Sequence, residues 1–160
     1  MALFGKKNAN YISAKETKRI SKENRKITNE IEKKRNRKNI PESEYITTMK
    51  NPENVVEFDN VHTYFFTDIG IVKAVDGVSF EIPQGKTVGV VGESGCGKST
   101  TGRTILRLIE KTDGQVLFNG KDVYGLSRKE MRDMRTKMQI IFQDPHSSLS
   151  PRLPVGEIIG

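Results

Sequence analysis

The sequence predicts an α/β domain with a strand-rich opening ahead of a strand–loop–helix unit, preceded by a basic arm. Three observations predict it. Residues 55–82 contain short runs rich in Val, Ile, Phe and Tyr, separated by turn residues, as short strands require. Residues 86–91, Lys86-Thr87-Val88-Gly89-Val90-Val91, form a dense apolar run that leads into a glycine-rich loop and then a helical stretch. A second apolar run, Met138-Gln139-Ile140-Ile141-Phe142, has the same character further along.

Composition narrows the class. The chain has 160 residues, 27 Lys+Arg against 20 Asp+Glu, one cysteine, no tryptophan and 34% hydrophobic residues. No run approaches the roughly 18 apolar residues of a bilayer span, and Met1-Ala2-Leu3-Phe4-Gly5-Lys6-Lys7 leads into polar sequence rather than a signal core. The expected compartment is the cytoplasm. Cys96 alone excludes an internal disulfide framework, and with only His62 and His146 there is no zinc spacing. These counts rule out a zinc finger, a disulfide-rich secreted domain and an integral membrane protein.

The charge is uneven. Residues 1–50 carry 14 Lys+Arg and 6 Asp+Glu, a net of +8, while residues 51–160 carry 13 and 14, a net of −1. Two regions follow: a basic, partly helical or disordered arm and linker over 1–50, and the folded domain over 51–160. Within the arm, Lys, Glu and Arg favour helix over residues 13–38, but isoleucines at 12, 20, 27 and 31 make a stripe too sparse for a core. Its charge is expected chiefly to keep it solvated, with anionic headgroups or an acidic partner as the next use. Nucleic acid is not expected. Ile40-Pro41 through Asn51-Pro52 reads as linker, because proline disfavours helix in the residue before it.

In the domain, residues 55–58 and 61–66 read as strands, followed by a turn over 67–70 and a strand over 78–82. Pro83-Gln84-Gly85 turns the chain into the apolar run 86–91, expected to be a strand buried on both faces.

Gly92-Glu93-Ser94-Gly95-Cys96-Gly97-Lys98-Ser99 then fits G-x-x-x-x-G-K-[ST], with Thr100 next and a helix expected over 101–109. Glycines belong there because side chains would hold the backbone N–H groups away from a phosphate, and because the loop takes positive φ. Lys98 is placed to reach the β- and γ-phosphates of ATP, and Ser99 to offer its hydroxyl to Mg2+. Thr100 lies on the α-phosphate side, where the helix adds its positive end. Cys96 sits among these donors, a setting that favours thiolate, although a compact side chain is reason enough for its presence.

Asp113-Gly114 is expected to end the helix. Asn119-Gly120 then marks a hairpin between 115–118 and 121–123, and Ser127-Arg128-Lys129-Glu130 is a capping box opening a short basic helix to about Arg135. The run 138–142 is expected to be a second buried strand. Gln143 follows it at the carboxyl end, the side on which open α/β sheets bind ligands, so its amide oxygen can reach Mg2+ or the attacking water.

Residues 55–160 resemble the first half of an ATP-binding cassette (ABC) ATPase, most like the ATPase subunits of bacterial oligopeptide, dipeptide and nickel importers. The resemblance covers about two-thirds of the chain. It rests on Val72-Lys73-Ala74-Val75-Asp76-Gly77-Val78-Ser79-Phe80, on the glycine loop, on Arg103-Thr104-Ile105-Leu106-Arg107-Leu108, and on Met138-Gln139-Ile140-Ile141-Phe142-Gln143-Asp144-Pro145. It implies a P-loop NTPase fold, a RecA-like core with an antiparallel β-subdomain that stops before the helical subdomain. In the family an aromatic residue on the first strands stacks on adenine. Tyr64 matches it, Phe65 and Phe66 can serve instead, and a core aromatic would read the same. Gln143 matches the Q-loop, which the resemblance links to the metal site and to the coupling helix of a membrane subunit. The implied partners are transmembrane permease subunits, a second ATPase subunit and, indirectly, a solute-binding protein, on the inner face of the membrane.

The sequence departs from the family at Ser150, which stands where Asn is common in these importers, and more seriously in what it lacks. It contains no Leu-Ser-Gly-Gly-Gln signature, no apolar strand ending in Asp-Glu and no later switch histidine. It is therefore expected to be part of a longer ATPase, holding nucleotide without the groups that activate water. A nonenzymatic nucleotide- or partner-binding fragment is the alternative. A different P-loop NTPase is a third reading, for which a guanine-selecting Asn-Lys-x-Asp is lacking.

Overall fold

The computed structural model describes residues 12–37, 40–142, 150 and 152–159. The first element, α1 (Ala14–Arg35), starts where the Ser13 hydroxyl accepts from Glu16 N–H at 3.2 Å and ends in the basic turn Lys33, Lys34, Arg35, which suits the negative end of the helix. Most of its side chains are exposed. Its anchor is polar: Asn24 is buried and donates from Nδ2 to Thr67 O at 2.6 Å. The short helix α2 (Glu42–Tyr45) buries Tyr45, whose hydroxyl donates to Glu130. Thr47 N–H donates to Gly120 O at 2.8 Å, so the linker is pinned to the domain.

Four strands form one antiparallel sheet in the order β2-β1-β3-β4: β1 (Asn54–Thr67), β2 (Gly70–Pro83), β3 (Asp113–Phe118) and β4 (Lys121–Asp122). The two strands expected over 55–66 are one strand with an irregularity at Asn60, whose φ is 44°. β1 pairs Phe58 with Phe80 on one side and with Val116 on the other, which sets the core register. The Asn119-Gly120 hairpin forms as expected, with φ of 47° and 74°, both positive as a two-residue turn of this hand demands.

Glu57 is buried in β1 and accepts from Lys50 N–H, Asn51 N–H and Asn54 Nδ2 at 2.9–3.0 Å. Burial alone would push its carboxyl up, but these donors outweigh it and hold the group below its usual range. The core lies between the sheet and α4 (Arg128–Arg135), where Phe58, Val61, Val116, Val123, Leu126, Tyr45, Met131 and Met138 pack. Each large side chain buried there contributes about 1.5–3 kcal/mol. The capping box forms: Glu130 N–H donates to Ser127 Oγ, and Ser127 N–H donates to Glu130 Oε2.

Two expectations about elements need correction. The helix after the glycine loop, α3 (Lys98–Ile105), ends before Asp113-Gly114. Arg107 takes φ of 50° just past its end, its N–H donating to Thr104 O while Leu108 N–H donates to Arg103 O, which closes the last turn. The runs 86–91 and 138–142 are unpaired and form no strand, and apart from Met138 they are not buried: Val91 is 95% and Ile141 96% exposed. A parallel strand depends on neighbours for both of its hydrogen-bonding edges, and among the described residues neither run pairs with the other or with the antiparallel sheet. A last helix, α5 (Val155–Ile159), follows. Among the described residues no helix is long and apolar enough to cross a membrane.

Candidate functional site

The glycine loop joins the unpaired run 86–91 to α3, and its shape follows from three contacts. Gly97, the residue before the helix, has φ of 96°, and a Cβ there would lie 2.2 Å from Ala74 O on β2. Only glycine lets the loop sit this close to the sheet. A Cβ at Gly92 would meet Cys96 Sγ at 2.6 Å, so the two ends of the loop also close on each other. Gly95 has φ of 82°, and Cys96 N–H donates to Glu93 O at 3.3 Å across the turn that holds Ser94.

Lys98, the first residue of α3, turns its ammonium back over the loop. Nζ donates to Gly92 O at 2.9 Å and to Glu93 O at 2.7 Å, and lies 3.7 Å from the exposed Cys96 Sγ. Two of its three donors are thereby aimed at the loop's own carbonyls, and the cation is held at the mouth of the loop beside the positive end of the helix. Ser99 is exposed on the first turn and Thr100 half-buried behind it. The helix is fixed from below: Thr101 N–H and its hydroxyl both meet Gly97 O, and Thr104 is fully buried with its hydroxyl 3.1 Å from that of Thr63 on β1.

Tyr64 follows Thr63 on β1 and pairs with Lys73 of β2. Its hydroxyl donates to Asp76, Lys73 Nζ donates to the same carboxylate at 3.2 Å, and His62 Nδ1 lies 2.9 Å from it. The Tyr64 hydroxyl first, then His62 and Lys73, hold the Asp76 carboxyl down at about 2. The same bond pushes the Tyr64 phenol up from its ordinary value. Lys73 Nζ lies 5.2 Å from the centroid of the Tyr64 ring and takes one part of its surroundings. Since Ala74 touches Gly97 and Lys73 faces Tyr64, a single stretch of β2 joins the aromatic residue to the loop. Phe65 is exposed and Phe66 half-buried on the same strand. Gln143 lies outside the described residues.

The Asp76 cluster was not legible in the sequence, nor was the Thr63–Thr104 contact, because both join strands and helices far apart in the chain. Nor was the role of Arg107. It is buried, and it donates from one guanidinium nitrogen to Val123 O at 3.0 Å and Leu126 O at 2.8 Å. Among the described residues no group of His, Cys, Asp or Glu is arranged to hold a metal. A cation at this loop would thus depend on Ser99 and on the oxygens of a bound phosphate, as a magnesium nucleotide does.

The family model described as ABC transporter matches residues 75–158. The oligopeptide transport ATP-binding protein OppF of Bacillus subtilis is 56% identical over 108 residues, covering 67% of this chain and 35% of OppF. AppF of the same organism, also an oligopeptide transport ATP-binding protein, is 48% identical over 120 residues, 70% of this chain and 36% of AppF. A putative peptide import ATP-binding protein of Brucella ovis is 55% identical over 96 residues, 60% of this chain and 30% of that protein. The chain thus spans about a third of the length of these relatives.

Among solved structures, the dimeric bacterial ABC transporter cassette MJ0796 aligns with a TM-score of 0.54 at 29% identity, over 61% of this chain and 42% of that one. The structure of cbiO1 from Clostridium perfringens, part of an ABC transporter complex, aligns at 0.52 and 26% identity, over 67% and 47%. The fold is the mixed α/β, RecA-like cassette with its antiparallel β-subdomain, represented here by its N-terminal portion. With the family model matched across more than half of its residues, the chain belongs to the ABC transporter family, as part of an ATP-binding domain.

Proposed function

We propose that this chain supplies the nucleotide-holding part of an ATP-binding subunit that drives peptide uptake. The observation that carries the reading is the seating of Gly97 against Ala74 O with Lys98 turned back over the loop, which puts a cation over the glycine loop at the start of a helix. In it the loop N–H groups and Lys98 hold the β- and γ-phosphates, Ser99 carries Mg2+, and Thr100 meets the α-phosphate side. The ring of Tyr64 is proposed to stack on adenine, and Gln143 to join the metal site. Peptide as the transported class rests on the printed names of the similar Bacillus and Brucella proteins.

Hydrolysis and transport are proposed for the assembled protein. Its partners would be transmembrane permease subunits, a second ATPase subunit and, through the permease, a solute-binding protein, with the ATPase peripheral on the inner face of the membrane. The exposed apolar side chains of 86–91 and 138–142 support the reading, since they offer surfaces for further strands of a cassette. They speak against a self-contained binding module.

Replacing Lys98 by Ala tests the site. Lys98 is the only side-chain cation in the loop, and removing a charge-assisted partner of a phosphate should weaken MgATP binding by several kcal/mol, on the order of two such hydrogen bonds. Calorimetry on both proteins reads this directly. Equal MgATP affinity for wild type and variant would exclude the assignment of the loop.

A further inference from the structure

Away from the glycine loop, α1, α4 and the turn after α3 enclose a cleft of about 310 Å3 lined by Arg35, Arg107, Arg128, Arg132, Arg135 and Met131. Five of its six lining residues are arginines, and no carboxylate is among them. Like charges gather at such density only against a cost in mutual repulsion, which a counter-ion removes.

The surroundings keep the cleft positive. Glu110 pairs with Arg35 at 3.1 Å and approaches Arg107 at 3.6 Å, but it does not line the cleft. Arg128 donates to Asn36 Oδ1 at 2.6 Å, a neutral partner. For Arg132 and Arg135, no hydrogen bond or ion pair forms among the described residues. The helix α1, whose last turn forms one wall, has nine Lys and Arg against four Glu. Part of the basic character has a local reason, since Arg35, Arg132 and Arg135 lie in last turns of helices, where the negative end attracts cations. That explains each helix by itself. It does not explain why three separate elements turn their arginines toward one concavity.

The base of the cleft is built rather than incidental. Arg107 is 8% exposed, and its guanidinium is fixed by the carbonyls of Val123 and Leu126. Met131, also buried, gives the floor an apolar patch. Around this fixed base, Arg132 and Arg135 are exposed and make no side-chain hydrogen bond among the described residues, and the exposed Arg128 is held only by the neutral Asn36. Guanidinium forks match the oxygens of phosphate two at a time. A compact group with several negative charges can meet several forks at once, whereas an acidic peptide would spread its charges beyond a space of this size.

We propose that this arginine cleft binds a multiply charged phosphate group, at a site separate from the glycine loop. The group is either a free polyphosphate-type anion or the headgroup of an anionic phospholipid. Both sources present the same oxygens to the same guanidinium groups.

The test uses the full chain carrying Lys98→Ala, which silences the glycine loop, with and without Arg132→Gln and Arg135→Gln. Both arginines are exposed, so the double change leaves the core intact, and thermal melting verifies this. A control carries Lys129→Gln and Lys137→Gln, an equal loss of charge outside the cleft. Sodium tripolyphosphate is titrated by calorimetry, and binding to vesicles of phosphatidylcholine with or without phosphatidic acid is read by flotation. The expected result is at least a tenfold loss of affinity in the arginine variant and less than twofold in the lysine control. If the loss appears with tripolyphosphate, the source is a free anion; if only with phosphatidic acid vesicles, it is a headgroup. Equal losses in both variants, or no binding by the parent protein to either probe, would overturn the proposal.

Discussion

Asp76 draws three side chains to one carboxylate, and the consequence is a Tyr64 ring held at a set angle on β1. Removing the ring should cost about 1–3 kcal/mol of nucleotide affinity if it stacks on the base, and Tyr64→Trp should keep most of it, since any flat π-face serves. Nucleotide titrations of Tyr64→Ala and Tyr64→Trp check this, and equal losses with a lower melting temperature would place Tyr64 in the core instead. The carboxyl of Asp76 is also a pH marker. Held at about 2 in the fold against an ordinary value of 3.8, it contributes stability that is complete above about pH 4 and lost as pH falls through about 2. The stability gap between wild type and Asp76→Asn, measured by urea unfolding, should therefore be constant above about pH 5 and shrink toward about pH 2.

Among the elements, the end of α3 has the most unusual construction, because an arginine occupies the left-handed position where glycine is the common residue. That conformation costs a non-glycine residue roughly 1–2 kcal/mol, and the two buried carbonyls it reaches offset the cost. Arg107→Ala keeps the strain and loses both bonds, so it should destabilise the chain by about 2–3 kcal/mol. Arg107→Gly loses the bonds but relieves the strain, and should be the milder change by about 1 kcal/mol in denaturant unfolding. Elements whose signal is local were legible in the sequence. Ser127 with Glu130 and Asn119 with Gly120 form where the pattern puts them, and the strands through Phe58 and Phe80 form but run longer, β2 starting at Gly70 rather than at Val78. The loop was legible for the same reason, since Gly92, Gly97 and Lys98 state their requirements within nine residues. The end of α3 was not, because the pattern Asp113-Gly114 competes with a stop built from Arg107 and residues of a later turn. The state of 86–91 and 138–142 was not legible either: apolar sequence gives a strand its preference but not its neighbours.

Taken whole, the molecule is a grip more than a machine. In the proposed reading its loop, helix and aromatic strand hold a nucleotide in the ground state, but only interactions that strengthen in the transition state speed hydrolysis. The purified 160-residue chain is expected to release phosphate from MgATP no faster than its Lys98→Ala variant, in a continuous phosphate assay with contaminating ATPases excluded. Faster release would locate a water-activating group within these residues. The buried hydroxyl pair of Thr63 and Thr104 gives this grip a fixed span. Thr63 adjoins Tyr64, and Thr104 lies on the helix that begins with Lys98, so the proposed jaw for the base and the proposed jaw for the phosphates are riveted together. A caliper with locked jaws measures length. If Tyr64 takes the base and Lys98 the phosphates as proposed, nucleotides whose ring and terminal phosphate lie at the set separation fit without deforming either element, and longer or shorter ones must bend the strand or the helix to be held at both ends.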